Sequence, residues 1–489
     1  MPTFERFFCW LFSARILIRI GGGVLAFLLV AAFLWNEFDV SGHKRWLAWK
    51  AEWEAKGESF NPESIIPEAI PDEQNAAKSA LFEPLFSDPD HKSKAAKKSV
   101  NRFRLDANKK PYLANWRLGE RRDLAGWEEA ILAADNPPKK GATPADTILN
   151  ALQPFEADLD ELAKVMTKPG CRFDIRYEDA LMALLPHLAV LRNASQLYSL
   201  RASALLAKGD TDGAMADVLL GIRTSELFAD EPMLISQLVR VAILQMNLVP
   251  FCEGLHGEKW SDAHLAEFQQ SIELIDLLKG ASLAFRGERN LVNMWFEQLD
   301  DGTENPAVTG AEEFDPGFFM GLNRYHINRI ITENLLAKID VENHRVSMRD
   351  TPTAEEEIEK LTNAPFAFRY AFTAMLIPAY DKIILNMTSA QAGLDQATIV
   401  AALERYRLAK GNYPPTLAEL VPEYLAKLPG DMFHDRGLVY RPDGDLFTLY
   451  STGFNVEDDG GEFVLSHGRD IISIEFDKGD WPWPSVKAE

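Results

Sequence analysis

The feature that most limits what this chain can be is an apolar run near its beginning. Residues 20–35 read IGGGVLAFLLVAAFLW, sixteen residues without a charge. As a helix they span about 24 Å, and extending the run back to Ile16 gives roughly the twenty residues that cross a hydrocarbon core of about 30 Å. Arg19 then reaches the lipid interface with its long side chain. The sequence predicts a transmembrane anchor over 20–35, preceded by a short cytoplasmic segment, 1–19.

The orientation of this anchor rests on chain length, because three basic residues lie close to it on either side. Long domains cross a membrane largely regardless of their charge, so we expect the bulk of the chain outside the cytoplasm and a single pass through the inner membrane. A bulk facing the cytoplasm is one alternative. Another is a cleaved signal peptide, since Val30-Ala31-Ala32 offers the small residues that signal peptidase accepts. The apolar run continues past that point, which favours the anchor.

Charge and composition exclude several classes of protein. The 489 residues hold 51 basic and 73 acidic side chains, a net charge of −22, and this argues against nucleic acid as a partner. With 47% hydrophobic and 25% charged residues the chain is neither disordered nor a polytopic membrane protein.

The segment 91–122 is basic although the whole chain is acidic: it has eleven Lys or Arg and two acidic residues. It would bind an anionic partner or, as we favour, form a solvated surface that pairs with the protein's own acidic side chains.

The rest of the chain predicts an α+β protein in three parts. Segment 36–144 is a juxtamembrane region in which Trp46, Trp49 and Trp53 share one helix face, lying either at the lipid interface or against a neighbouring element. Segment 145–392 is helical almost throughout. Segment 393–489 is a small α+β domain.

The α+β domain has a readable local pattern. Residues 401–408 are helical, Gly411 stands where a helix end needs a left-handed residue, and Thr416 is placed to cap a short helix over 417–421. Strands are expected at 438–440 and 446–450. Pro442-Asp443-Gly444 supplies the turn of an antiparallel hairpin between them.

These residues resemble the C-terminal half of the major pseudopilin of type II secretion systems. The matching pieces are ALERYRLAKGNYPPTLAEL, LPGDMF, LYSTGFNVEDDGG and Arg469-Asp470-Ile471, in that order over about ninety residues. The chain departs from the family at its beginning, where no Gly-Phe-Thr-Leu-x-Glu processing sequence occurs, and over 350 residues separate the apolar run from the domain. The resemblance therefore implies a shared fold rather than the role of a fibre subunit.

The same resemblance implies a calcium site in the loop after the hairpin. The family's two ligand positions fall on Asn455 and Asp470, and Asp458 and Asp459 lie between them and add hard oxygen donors. Asparagine at 455 keeps a carbonyl oxygen but loses a charge. The alternative is an acidic, glycine-rich turn that is solvated and holds no ion.

Signals for an enzyme are few, and we lean towards a protein without catalytic activity. The sequence has no HExxH, Gly-x-Ser-x-Gly or Walker-type motif. His256 and His264 do not complete a metal site by themselves. Cys171 and Cys252 either form a disulfide or are buried as free thiols, and the latter is more common.

Three functions stay open at this point. The first is a membrane-anchored extracytoplasmic scaffold that binds a protein partner in a bacterial cell envelope. The second is a cell-envelope hydrolase or ligand-binding protein with its site in the helical domain. The third is an accessory component of a type II secretion-like machine, which follows from the resemblance alone.

Overall fold

The computed structural model describes residues 14–35, 40–87, 93–109, 111, 114–300, 320–348, 352–377, 380–467 and 472–484. Helices dominate this part of the chain, and the strands form small antiparallel sheets, which confirms the mixed α+β class. The helices are α1 (Ala14–Trp35), α2 (Ser41–Ala55), α3 (Glu83–Phe86), α4 (Lys94–Val100), α5 (Leu124–Leu132), α6 (Pro144–Leu152), α7 (Glu156–Val165), α8 (Pro186–Lys208), α9 (Thr211–Glu226), α10 (Leu234–His256), α11 (Asp262–Ile272), α12 (Leu277–Asp300), α13 (Met320–Arg329), α14 (Ala354–Thr362), α15 (Ala371–Leu376) and α16 (Tyr380–Lys410).

Seven strands form three sheets within the described residues. The short pair β1–β2 is separate from a three-stranded sheet in the order β3-β4-β7 and from a two-stranded sheet β5-β6. All pairings are antiparallel. The strands are β1 (Ile339–Asp340), β2 (Arg345–Val346), β3 (Val439–Asp443), β4 (Leu446–Ser451), β5 (Phe463–His467), β6 (Ile472–Gly479) and β7 (Trp481–Pro482).

The chain divides into two compact units, and neither is continuous in sequence. The first unit comprises 1–64, 289–334 and 352–379, and the second comprises 65–288, 335–351 and 380–489. This division differs from the predicted segments. The expected boundary at 392/393 falls inside α16, which runs unbroken from Tyr380 to Lys410.

In the first unit, two glycines let α2 and α13 approach closely. A Cβ atom at Gly42 would lie 2.6 Å from the backbone nitrogen of Leu322, and one at Gly321 would lie 2.6 Å from that of His43. Both distances are shorter than van der Waals contact allows, so each helix needs a residue without a side chain at the crossing.

The three tryptophans of α2 pack inside the first unit. Trp46 and Trp49 are buried, and the Phe60 ring meets both at centroid distances of 5.6 and 5.4 Å. The indole nitrogens of Trp49 and Trp53 donate to Oε1 of Glu333 at 2.7 and 3.3 Å. Of the two interpretations of this helix face, packing against a neighbour is the one observed.

The second unit is organised around a hairpin of long helices. α8 ends at Lys208 and is followed by Gly209, whose φ of 81° is the left-handed conformation that glycine adopts readily. Asp210 then caps α9 by accepting a hydrogen bond from the Gly213 amide at 3.0 Å. α10 follows and contributes Ile243 to the main hydrophobic core.

The C-terminal elements largely follow the local pattern of the sequence. α16 ends before Gly411, which has a φ of 82°, and β3 pairs with β4 across a turn in which Gly444 has a φ of 60°. The second short helix is a 3-10 turn, Leu417–Leu420. Thr416 precedes it without forming a side-chain cap, so that detail of the prediction was wrong.

Two long apolar helices differ in their surroundings. Among the described residues, α10 is the helix that is both long and apolar enough to cross a membrane. Of its apolar 18-residue stretch, 72% is buried inside the protein. The described side chains of α1 form a shorter apolar stretch, Gly21–Val30. These side chains are exposed rather than buried.

Candidate functional site

The loop that follows β4 carries the predicted calcium ligands. We call residues 455–462 the acidic loop. The Asn455 amide nitrogen donates to Oδ2 of Asp459 at 2.8 Å, and the Tyr450 hydroxyl donates to Oδ1 of Asp458 at 2.7 Å. The hydrogen bond from Tyr450, together with that from the Gly460 amide, lowers the pKa of Asp458 and favours its charged form. Three of the four predicted ligands therefore lie in one turn.

The fourth predicted ligand, Asp470, lies outside the described residues.

A carboxylate that sequence reasoning missed lies next to the acidic loop. Asp480 separates β6 from β7 and is fully buried. Its Oδ2 accepts a hydrogen bond from the Gly461 amide at 2.6 Å, whereas its Oδ1 has no hydrogen-bond partner within the described part of the chain. Burial raises the pKa of Asp480, the backbone amides of Gly461 and Asp459 oppose this shift, and the charges of Asp459 and Asp458 add to it. A buried carboxylate oxygen without a donor is costly unless a cation or a proton compensates it.

This donor set suits calcium by its chemistry. Asn455, Asp458, Asp459 and Asp480 all offer hard oxygen atoms, which calcium prefers over nitrogen or sulfur. The loop also contains Gly460 and Gly461, both with positive φ, which allow a tight turn. Across the residues that the structure describes, no three His, Cys, Asp or Glu side chains are already arranged to hold a metal ion. The acidic loop would therefore have to close around an ion.

A second polar site is a cleft of about 670 Å³ in the second unit. It is lined by the turn between β1 and β2, by α16 and by residues 425–437. His344 lies in that turn with a φ of 54°, and its Nε2 is 3.2 Å from Oδ2 of Asp395. The hydrogen bond that the imidazole donates to Asp395 raises the pKa of His344. The cleft therefore presents an imidazole that is easily protonated.

A second imidazole and a buried carboxylate also line this cleft. His434 Nε2 is 2.9 Å from the hydroxyl of Thr452 and 3.8 Å from Oδ2 of Asp431. That Oδ2 is buried without a hydrogen-bond partner in the described structure, while Oδ1 accepts from the Phe433 amide at 3.0 Å. These groups offer acid and base chemistry. The hydroxyl of Thr398, which also lines the cleft, is held by the Leu394 carbonyl, so it is not arranged as an activated nucleophile.

Comparison with known proteins adds no assignment. No family model, no curated protein and no solved structure matched this chain. The resemblance of the C-terminal domain to pseudopilins therefore stays a prediction from its motifs.

The other candidate residues of the sequence, a histidine and two cysteines, have contacts that explain them as parts of the fold. His264 belongs to the capping box of α11 with Ser261, and its Nε2 is 2.8 Å from Asp212. Cys171 and Cys252 are free thiols rather than a disulfide. Burial raises the pKa of both thiols, which makes them poor nucleophiles.

The basic segment 91–122 is only partly a solvated surface. Arg102 pairs with Asp158 at 2.7 Å and with Glu161 at 3.2 Å, as expected for a segment neutralised by the protein's own acids. Arg117 and Arg122 are instead buried, with 4% and 8% of their surface exposed. A charge count along the sequence gives no sign of this burial.

Proposed function

We propose that this protein is a single-span membrane protein that holds a folded interaction module outside the cytoplasm. The observation that carries the proposal is the exposure of α1. Every large apolar side chain described in this helix is more than half exposed, as is the case for Val24, Leu25, Phe27, Leu28, Leu29, Val30 and Phe33. Water is a poor solvent for such a surface, so a lipid bilayer is the environment that α1 fits.

The length of α1 agrees with this role. At about 1.5 Å per residue its 22 residues span about 33 Å, close to the thickness of a hydrocarbon core. Transferring these seven half-exposed or more exposed apolar side chains from water to lipid favours insertion by on the order of 5–10 kcal/mol. The short segment before α1 stays in the cytoplasm, and the chain that follows α1 lies on the other side.

The C-terminal domain supplies the second part of the proposal, a pseudopilin-like module whose acidic loop is stabilised by calcium. Asn455, Asp458, Asp459 and Asp480 would hold the ion, with Asp470 as a further ligand. When bound, calcium would neutralise the carboxylates and fix the loop between β4 and β5. We infer that the module then presents a rigid surface to a protein partner in the cell envelope rather than a catalytic site.

The cleft around His344 favours a second candidate function, binding of a polar ligand by a cell-envelope protein. Its volume lies within the range typical of small-molecule sites. Hydrolysis would need an activated nucleophile or water in addition. An accessory role in a secretion-like machine rests on the pseudopilin resemblance.

Flotation of bacterial membranes on a density gradient tests the anchor. The full chain should float with the lipid and stay there after an alkaline wash, whereas a chain that begins at Val40 should remain at the bottom. Flotation also separates inserted protein from aggregates, which pellet. Release of the full chain by the alkaline wash would contradict the anchor.

Thermal unfolding with and without calcium tests the module. The parent protein should gain a few °C at a calcium concentration of about 100 times Kd, where linkage gives about 2.7 kcal/mol. Asp480→Asn should lose most of this gain because it removes the buried charge. Asp445→Asn, at the exposed end of the β3–β4 hairpin, is the matched control and should keep the gain. An equal calcium response in both variants would rule out Asp480 as a ligand.

A further inference from the structure

A small cavity in the second unit is lined by positive charge and apolar surface. It has a volume of about 230 Å³, and Trp116, Arg122, Arg192, Gln245 and Met246 are among its walls. We call it the arginine cavity. It is distinct from the acidic loop and from the cleft around His344, whose lining residues it does not share.

Arg122 is the most informative residue of the arginine cavity, because its guanidinium is buried among neutral partners. Nε donates to the hydroxyl of Ser203 at 3.1 Å, and one terminal nitrogen donates to that of Ser199 at 2.6 Å. The other terminal nitrogen, Nη1, makes no hydrogen bond to any described residue. The side chain therefore keeps a donor available at the cavity.

The charge of Arg122 is not neutralised by an ion pair in the described structure. Glu253 is the nearby carboxylate, and its Oε1 accepts a hydrogen bond from the backbone amide of Arg122 at 2.6 Å. Burial lowers the pKa of Arg122, and Glu253 opposes this shift. A charged group taken out of water with neutral partners is unfavourable by several kcal/mol, so an anionic ligand at this place would be stabilising.

A second guanidinium and an apolar wall complete the arginine cavity. Arg192 is exposed and forms no ion pair with the described residues. Met246 and Val249 of α10 provide apolar surface. Trp116 is held in place because its indole nitrogen donates to Gln245. The walls thus combine two cationic groups with an aromatic ring and aliphatic side chains.

We propose that the arginine cavity binds a small carboxylate with an apolar or aromatic substituent. Arg122 and Arg192 contact the carboxylate, since the planar guanidinium matches its two oxygens, and the Trp116, Met246 and Val249 side chains contact the hydrocarbon part. The volume of about 230 Å³ is below the usual range for drug-sized ligands, which limits the ligand to about the size of benzoate. The apolar walls favour such a carboxylate over inorganic phosphate, whose oxygens all need polar partners.

Isothermal titration calorimetry of the detergent-solubilised full chain tests this proposal with benzoate as the probe. Benzamide has the same shape without the charge and should bind at least about tenfold more weakly, which corresponds to about 1.4 kcal/mol. Arg192→Ala should weaken benzoate binding by a similar factor, because the exposed side chain contributes charge without supporting the fold. Arg223→Ala, at an exposed arginine outside the arginine cavity, is the matched control and should bind as the parent does.

Each outcome of this titration bears on the proposal. Binding of benzoate that is lost in Arg192→Ala and kept in Arg223→Ala supports it. Absence of heat at 10 mM benzoate, or equal effects of the two substitutions, overturns it. Inorganic phosphate binding more tightly than benzoate overturns the choice of a carboxylate. The result is independent of the membrane anchor and of calcium, because neither contributes to the arginine cavity.

Discussion

α1 and α10 are both long and apolar, with 22 and 23 residues, but their side chains differ in exposure. α10 has polar side chains that are buried and bonded, such as Asn247, which donates to Ser195 and to the Ile243 carbonyl at 2.8 Å each. The described part of α1 has exposed apolar side chains and glycines with no neighbour within 4 Å of a Cβ position. Hydropathy alone thus marks α10 as a membrane helix, whereas its packing shows that it is the core of a folded unit.

Charged substitutions in α1 should give the largest effect on this comparison. Leu25→Arg with Leu29→Arg places two guanidiniums near the middle of the bilayer, where each is unfavourable by about 2.5–3.5 kcal/mol. Membrane flotation should fall strongly. Leu274→Arg is the matched control, because Leu274 is 89% exposed in the second unit, and this variant should float like the parent. Unchanged flotation of the double variant would place α1 outside the bilayer core.

A cavity in α10 should affect folding rather than membrane attachment. Leu244 is 1% exposed, and Leu244→Ala should lower the free energy of unfolding by about 2–5 kcal/mol. Urea titration of the detergent-solubilised protein measures the change, with Leu274→Ala as the control that should alter it little. If Leu244→Ala left stability intact but reduced flotation, α10 would be the membrane helix instead.

The two units should respond to pH with opposite sign through their histidines. Burial lowers the pKa of His326 in α13 from 6.5 to about 3, with the charge of Arg329 acting in the same direction. The unfolded state then binds the proton first, so this contribution to stability is full above pH 6.5 and falls as pH drops towards 3. The expected loss of stability between pH 7 and pH 4 is on the order of 2–3 kcal/mol.

His344 in the second unit has a raised pKa. Its contribution to stability is therefore present below pH 6.5 and is lost as pH rises through the folded-state pKa.

Hydrogen–deuterium exchange tests the effect of His326 separately from that of His344. Amides of α13 should lose protection as pH falls towards 4, after correction for the intrinsic exchange rate, and His326→Gln should reduce that loss. Retention of the same pH dependence in His326→Gln would assign it to other groups.

Removing the ion pair between Arg240 of α10 and Glu226 should give the smallest effect on stability. Arg240 donates through Nε and Nη2 to the two carboxylate oxygens of Glu226, at 3.1 and 2.9 Å. Glu226→Gln removes the negative charge that compensates Arg240, whose side chain is 4% exposed. The free energy of unfolding should fall by about 1–2 kcal/mol. Glu267→Gln changes an exposed carboxylate and should be neutral in the same urea titration. Equal midpoints would mean that water, rather than Glu226, solvates Arg240.

Local features of this fold were predictable from the sequence, and long-range ones were not. The β3–β4 hairpin followed from its Pro-Asp-Gly turn because neighbouring residues determine such a turn. The first unit brings α2 together with α13 from almost 280 residues away, and the only sequence sign is a pair of glycines, Gly42 and Gly321. The candidate sites show the same limit. Asp480 is nineteen residues from Gly461, and its place beside the acidic loop depends on the pairing of β5 with β6.

Thiol labelling of intact spheroplasts tests most directly whether α1 anchors the folded units outside the cytoplasm. The experiment uses a chain whose natural cysteines are replaced and which carries Asp445→Cys at the exposed hairpin end, or Thr3→Cys before α1. A maleimide that cannot cross membranes should label position 445 in intact spheroplasts and position 3 only after lysis. Labelling of position 445 only after lysis would contradict the account.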